Sequence, residues 1–97
     1  MYLLIAYDVS TATPAGARRL RRVAKTCENY GQRVQKSVFE CQVDAARYVE
    51  FKARLLSLID TQHDSIRLYN LGNNWKPRVE HIGKNDAFDI DGLLLVE

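Results

Sequence analysis

Asp8 closes an almost uninterrupted apolar run, Tyr2 to Val9, and stands directly before the turn-forming segment Ser10-Thr11-Ala12-Thr13-Pro14. A run of about eight apolar residues bounded by a turn reads as a strand buried on both faces. A carboxylate at the end of such a strand is costly unless a metal ion, an arginine or a helix amino terminus meets it. Two readings stay open. Asp8 is either a turn acid bonding the backbone around residues 10–13, or an oxygen ligand for magnesium, which needs only one or two carboxylates beside its waters and a phosphate oxygen. In the second reading, two copies of the chain meeting about a two-fold axis bring a pair of Asp8 side chains together. Their repulsion is relieved by a divalent cation, Mg2+ or Mn2+, and that ion polarises a phosphodiester and activates water. Ser10 is a turn serine, or a hydroxyl that orients water or phosphate.

The second chemical signal is cationic. Arg18, Arg19, Arg21, Arg22 and Lys25 crowd one stretch, with Arg33 and Lys36 following. Residues 1–36 carry seven basic side chains against Asp8 and Glu28, a net +5, whereas residues 37–97 carry −3, so the overall +2 conceals a strong asymmetry. Several arginine forks on one surface make a footprint for phosphate oxygens. A solvated helix face is the plain alternative, although the interspersed acids usual on such faces are missing here. Tyr2, Tyr7, Phe39 and Tyr69 either fill a core or stack bases. Glycine-rich nucleotide loops and the strand motif of the common RNA-recognition sheet are absent from the sequence.

These residues need a scaffold. Thr11 or Thr13 caps a helix opening at Pro14, a residue favoured at the first helical position, and the helix runs to about Tyr30 before Gly31. Its apolar stripe is Ala17, Leu20, Ala24 and Cys27, with Arg18, Arg22 and Lys25 opposite and Arg19 and Arg21 on the flanks. Extended structure follows over residues 33–43, with a break near Gln35 or Lys36. Asp44 caps a second helix ending near Asp60, packed through Tyr48, Phe51, Leu55, Leu58 and Ile59, and residues 65–71 form another strand. The order strand, helix, strand or hairpin, helix, strand suits an α+β fold: a ferredoxin-like βαββαβ sandwich with an antiparallel sheet and both helices on one face. Residues 1–72 form this core. Residues 73–97 make a tail whose short segments, 78–82 and the terminal Leu93-Leu94-Leu95-Val96, are expected to add strands at a sheet edge, that of a second subunit included.

At 97 residues the chain is one domain with a modest core, and 46% hydrophobic with 27% charged residues is ordinary for a globular protein. No stretch reaches the roughly 18 apolar residues of a spanning helix, and no secretory signal precedes the first strand, so no membrane partner is expected and the location reads as cytosolic. Cys27 and Cys41 lack metal-ligand spacing and read as buried free thiols. His63 and His81 are isolated, which argues against zinc.

In combination, Tyr7-Asp8-Val9, Arg22-Val23-Ala24-Lys25 leading to Tyr30-Gly31, Arg33-Val34-Gln35 followed by Ser37-Val38-Phe39-Glu40, and Val79-Glu80-His81-Ile82-Gly83 resemble the CRISPR-associated protein 2 family over about residues 2–83. The resemblance implies a ferredoxin-like homodimer whose last strand crosses to the other subunit and which sits between dimers of the integrase CRISPR-associated protein 1 during spacer acquisition. It also splits the 33–43 segment into two strands, with a turn near residues 35–37. It implies that Asp8 is a magnesium ligand at the dimer interface and that Arg22, Arg33 and Phe39 handle nucleic acid. Family members have been described as metal-dependent endonucleases on RNA or double-stranded DNA, and others as structural adaptors. Many carry a second acid two residues after the strand-end Asp, where this chain has Ser10.

The residues and the resemblance together give a dimeric Mg2+-dependent phosphodiesterase of CRISPR adaptation. Its expected catalytic set is Asp8, Ser10 and Phe39, and its phosphate-binding set is Arg18, Arg19, Arg22, Lys25 and Arg33. A non-catalytic scaffold for duplex DNA and the integrase is the alternative, and a messenger-RNA-cleaving toxin the second alternative.

Overall fold

Local signals decide where each element begins. In the computed structural model, which describes residues 1–83, strand β1 spans Tyr2–Asp8 and helix α1 spans Pro14–Tyr30. Thr13 caps α1 by accepting from the Gly16 N–H at 3.1 Å, and Pro14 occupies the first turn, where it loses no hydrogen bond. The chain then makes a hairpin of β2 (Gln32–Gln35) and β3 (Val38–Gln42), with a register irregularity between Arg33 and Gln35. Asp44 caps helix α2 (Ala45–Leu58) by accepting from the Arg47 N–H at 2.8 Å, and β4 (Ser65–Asn70) closes the sheet.

The sheet is antiparallel in the order β2-β3-β1-β4, the ferredoxin-like arrangement. Strand alternation sends Leu3, Ile5 and Tyr7 of β1 and Phe39 and Cys41 of β3 into one layer with Val23 and Cys27 of α1 and Phe51 and Leu55 of α2. Tyr2, Leu4, Ala6 and Asp8 face the other way, so the first strand is apolar on both faces, as its continuous run requires. At one end this second face is covered: Trp75 lies flat on Tyr2 with ring centroids 3.8 Å apart and is itself buried, while the Tyr2 hydroxyl donates to Glu40 Oε1 at 2.6 Å.

One face, one boundary and one expected strand differ from expectation. The buried stripe of α1 is Gly16, Val23 and Cys27, with Leu20 and Ala24 only partly buried. The reason is the close seat of the helix on the preceding loop: a Cβ on Gly16 would stand 2.0 Å from the Ser10 carbonyl oxygen, so only glycine fits there. Helix α2 stops at Leu58 rather than near Asp60, because the Asp60 N–H is bound by Asp64 and the Asp60 carboxylate accepts from the Gln62 N–H, forming a turn. Residues 73–83 hold one 3-10 turn, Lys76–Arg78, and no strand. The tail strands expected beyond residue 83 lie outside the described residues. No helix among the described residues is long and apolar enough to cross a membrane.

Candidate functional site

Asp8 occupies the last position of β1, exposed between two buried neighbours, Tyr7 and Val9. Its place in the alternation puts it on the sheet face away from the helices, opposite Ser65 of β4. Among the described residues nothing hydrogen-bonds or ion-pairs with its carboxylate. Of the two open readings, the turn-capping one therefore loses its support. The backbone that Asp8 was expected to bond is held by another acid.

That acid is Asp64, which in the sequence is only one of several polar residues in a loop. Its side chain is fully buried. Oδ2 accepts from Arg19 Nε at 2.8 Å and from the Asp60 N–H at 2.9 Å, while Oδ1 accepts from the Ser10 N–H at 3.0 Å and from Arg19 Nη2 at 3.4 Å. The Arg19 guanidinium, ahead of the backbone N–H groups, holds the Asp64 carboxyl down to about 2 against the opposing effect of burial. The cation that a strand-end carboxylate needs is thus present, but it serves Asp64.

This alters the expected phosphate-binding set. Arg18, Arg22 and Lys25 are displayed on α1, as is Arg21, but Arg19 is turned inward and engaged. Helix α2 extends the cationic surface with exposed Arg47, Lys52 and Arg54, against Glu28 and Glu50 on the two helices together. The net −3 of the second half of the chain hid this contribution. Arg33 reaches the same layer from β2, where its guanidinium lies 4.7 Å from the Phe39 ring centroid, donates to the Lys36 carbonyl and contacts Glu28 at 3.4 Å.

Phe39 requires a correction. It is fully buried in the core between the sheet and the helices, so it cannot touch a substrate. Its link to the site is indirect, as the surface on which Arg33 rests. Tyr2 and Tyr7 are buried as well, which removes them as base-stacking platforms, and of the four aromatics only Tyr69 is exposed. Tyr69 accepts at 3.3 Å from Arg67, whose backbone pairs with Ala6, so Arg67 and Asp8 share a face on adjacent strands. Arg67 is a further residue that the sequence-based set omits. The alternation Ile66, Leu68 against Ser65, Arg67, Tyr69 was the available signal.

Ser10 is half-buried, its N–H taken by Asp64 and its carbonyl close against Gly16. Cys27 and Cys41 are buried free thiols, pushed by desolvation up to about 12 and about 11, which leaves neither as a nucleophile. Among the described residues no three His, Cys, Asp or Glu side chains gather as a metal site. Among the described residues, Asp8 is therefore the unengaged carboxylate that one chain offers on this face. That donor fits an ion keeping most of its waters, such as magnesium, and does not fit zinc.

Similarity to known proteins follows the whole described fold. The family model for CRISPR associated protein Cas2 matches residues 1–79. The CRISPR-associated endoribonuclease Cas2 of Chlorobaculum tepidum is 56% identical over 99% of this chain and 100% of its own length. The CRISPR-associated endonuclease Cas2 of Halalkalibacterium halodurans is 54% identical over 98% of this chain and 99% of its own. Among solved structures, Streptococcus pyogenes Cas2 superposes with a TM-score of 0.75 at 59% identity, covering 86% of this chain and 100% of that one.

Proposed function

The chain belongs to the CRISPR-associated protein Cas2 family, and from that premise we propose that it is a dimeric, Mg2+-dependent endonuclease of spacer acquisition that hydrolyses phosphodiesters of RNA or double-stranded DNA. Nuclease chemistry is supported by the names of its relatives, endoribonuclease and endonuclease. The observation that carries the finer reading is Asp8: an exposed carboxylate on a rigid strand end, unpartnered among the described residues, beside a second acid that is fully occupied. Two copies of the chain, joined near the ends of their β1 strands, supply two such carboxylates to one site. The paired Asp8 carboxylates would hold a Mg2+ ion, which when bound would supply neutralisation of phosphate charge and polarisation of the scissile bond. In this reading Arg67, which shares the Asp8 face, binds a non-bridging phosphate oxygen, and the Ser10 hydroxyl orients a water at the rim of the site. Arg18, Arg22, Lys25 and Arg33 hold neighbouring phosphates as sequence-independent anchors. The integrase CRISPR-associated protein 1 is the proposed protein partner.

One observation favours a second reading. Asp8 and the exposed cations of the helices lie on opposite sides of the sheet, so a duplex lying along α1 of one subunit does not present its phosphates to that subunit's Asp8. A scaffold that holds duplex DNA without cutting it needs only the cationic layer, with the tail left to dock the integrase.

Wild type and Asp8→Asn, assayed on RNA and on duplex DNA across magnesium, manganese and pH, separate the two. The nuclease reading expects metal-dependent cleavage that falls about a hundredfold or more in Asp8→Asn with nucleic-acid affinity retained, a loss of the size that follows removal of a transition-state interaction. A wild type that binds duplex DNA and cleaves neither substrate leaves the scaffold.

A further inference from the structure

Asp8 has no side-chain partner among the described residues, yet its backbone is held from several directions. It pairs with Ser65 across the β1–β4 ladder. Ser65 follows Asp64, and Asp64 Oδ1 accepts the N–H of Ser10, two residues beyond Asp8, at 3.0 Å. Asp8, Val9, Ser10, Asp64 and Ser65 thereby form a short closed circuit of covalent and hydrogen-bonded links. The circuit is braced from outside. Arg19 and the Asp60 N–H fix the rotation of the Asp64 carboxylate, and Gly16 of α1 is packed against the far side of Ser10.

We infer that Asp64, clamped by Arg19, is the positioning residue for Asp8: it locks the turn at Ser10 so that the Asp8 carboxylate leaves the strand end in one direction. This rests on the reading of Asp8 as a metal ligand. A paired carboxylate site depends on such locking, because each subunit supplies a single ligand and neither can compensate for an error in the other. Carboxylates whose backbone is free to turn lose ordering entropy on binding an ion, whereas one on a closed circuit has lost it already. Asp64 is not itself a ligand, since both its oxygens are engaged and out of reach of solvent.

The competing view is that Asp64 merely ties α1 to the sheet. Mn2+ binding to the intact protein, followed by electron paramagnetic resonance, separates the two in wild type, Asp8→Asn, Asp64→Asn, Arg19→Gln and Arg19→Lys, with folding checked by circular dichroism. Positioning expects Mn2+ affinity to fall about tenfold in Asp64→Asn and Arg19→Gln, the low end of what supporting partners of a metal ligand cost. Arg19→Lys restores most of it, and amide exchange at Ser10 accelerates while that of Leu3, Ile5 and Tyr7 does not. If both variants lose thermal stability but bind Mn2+ as wild type does, Asp64 is only a tie and the inference is overturned, with Asp8 still a ligand. If Asp8→Asn binds Mn2+ unchanged, or the wild type binds none, the ligand reading has failed and takes this inference with it. Should Asp64→Asn not fold, the two Arg19 variants decide the question.

Discussion

Four N–H groups converge on the Asp64 carboxylate, those of the Ser10 and Asp60 backbone and two from Arg19. Folding therefore favours its charged form, and the folded-state value near 2 lies below the ordinary 3.8. A depressed carboxylate contributes stability that is complete above its unfolded value and disappears as pH falls through its folded one. The thermal midpoint of the wild type should consequently drop between about pH 4 and pH 2. Asp64→Asn should start from a lower midpoint at neutral pH and show a flatter acid limb. A wild-type midpoint constant through that window would rule the linkage out. None of this was visible in the residues alone. Arg19 and Asp64 are 45 positions apart, and nothing local distinguishes Arg19 from Arg18 or Arg21 until the fold brings an acid to it. The same limit explains Phe39, whose position in the chain suits either a stacking surface or a core residue and whose burial only packing decides.

At the scale of elements, most of the fold was legible because its signals act over a few residues. Thr13, one of the two threonines expected to cap α1, and Asp44 cap their helices, and the strand ending at Asp8 is where the apolar run places it. The β2–β3 hairpin was harder, since apolar residues fall on both its faces and the register shifts between Arg33 and Gln35. Gly31 shows how a helix end and a hairpin depend on each other. Its backbone is extended, so conformational freedom is not what selects glycine there. Space is: a Cβ would stand 2.2 Å from the Glu40 carbonyl oxygen and 2.5 Å from Cys41 Cβ. Gly31→Ala should push β3 away from the end of α1 and destabilise the protein by about 2 kcal/mol, within the usual range for overpacking. In a domain of this size that lowers the thermal midpoint by roughly 10 °C, measurable by circular dichroism. An unchanged midpoint would mean the hairpin yields at no cost.

For the whole molecule, the consequence of the layered fold is an uneven distribution of charge. The helical layer exposes cations from both α1 and α2, whereas the opposite sheet face sets Arg67 beside Asp8 and buried Glu40. Nucleic-acid affinity should therefore depend steeply on salt. With about six phosphates engaged by a dimer, the dissociation constant should rise on the order of a thousandfold between about 50 and 200 mM salt. Arg22→Ala should weaken binding evenly across sequences and lower the salt slope by about 1 for each phosphate that is no longer neutralised, as read by fluorescence anisotropy. A slope unaffected by that change would move the footprint elsewhere. The stacked pair of Trp75 and Tyr2 has a use of its own. Because the chain contains a single tryptophan and seats it on the sheet surface away from the helices, its emission is an intrinsic optical gauge of that surface. Without any attached dye, a shift in wavelength or quenching reports whether the indole stays sheltered when a second molecule arrives.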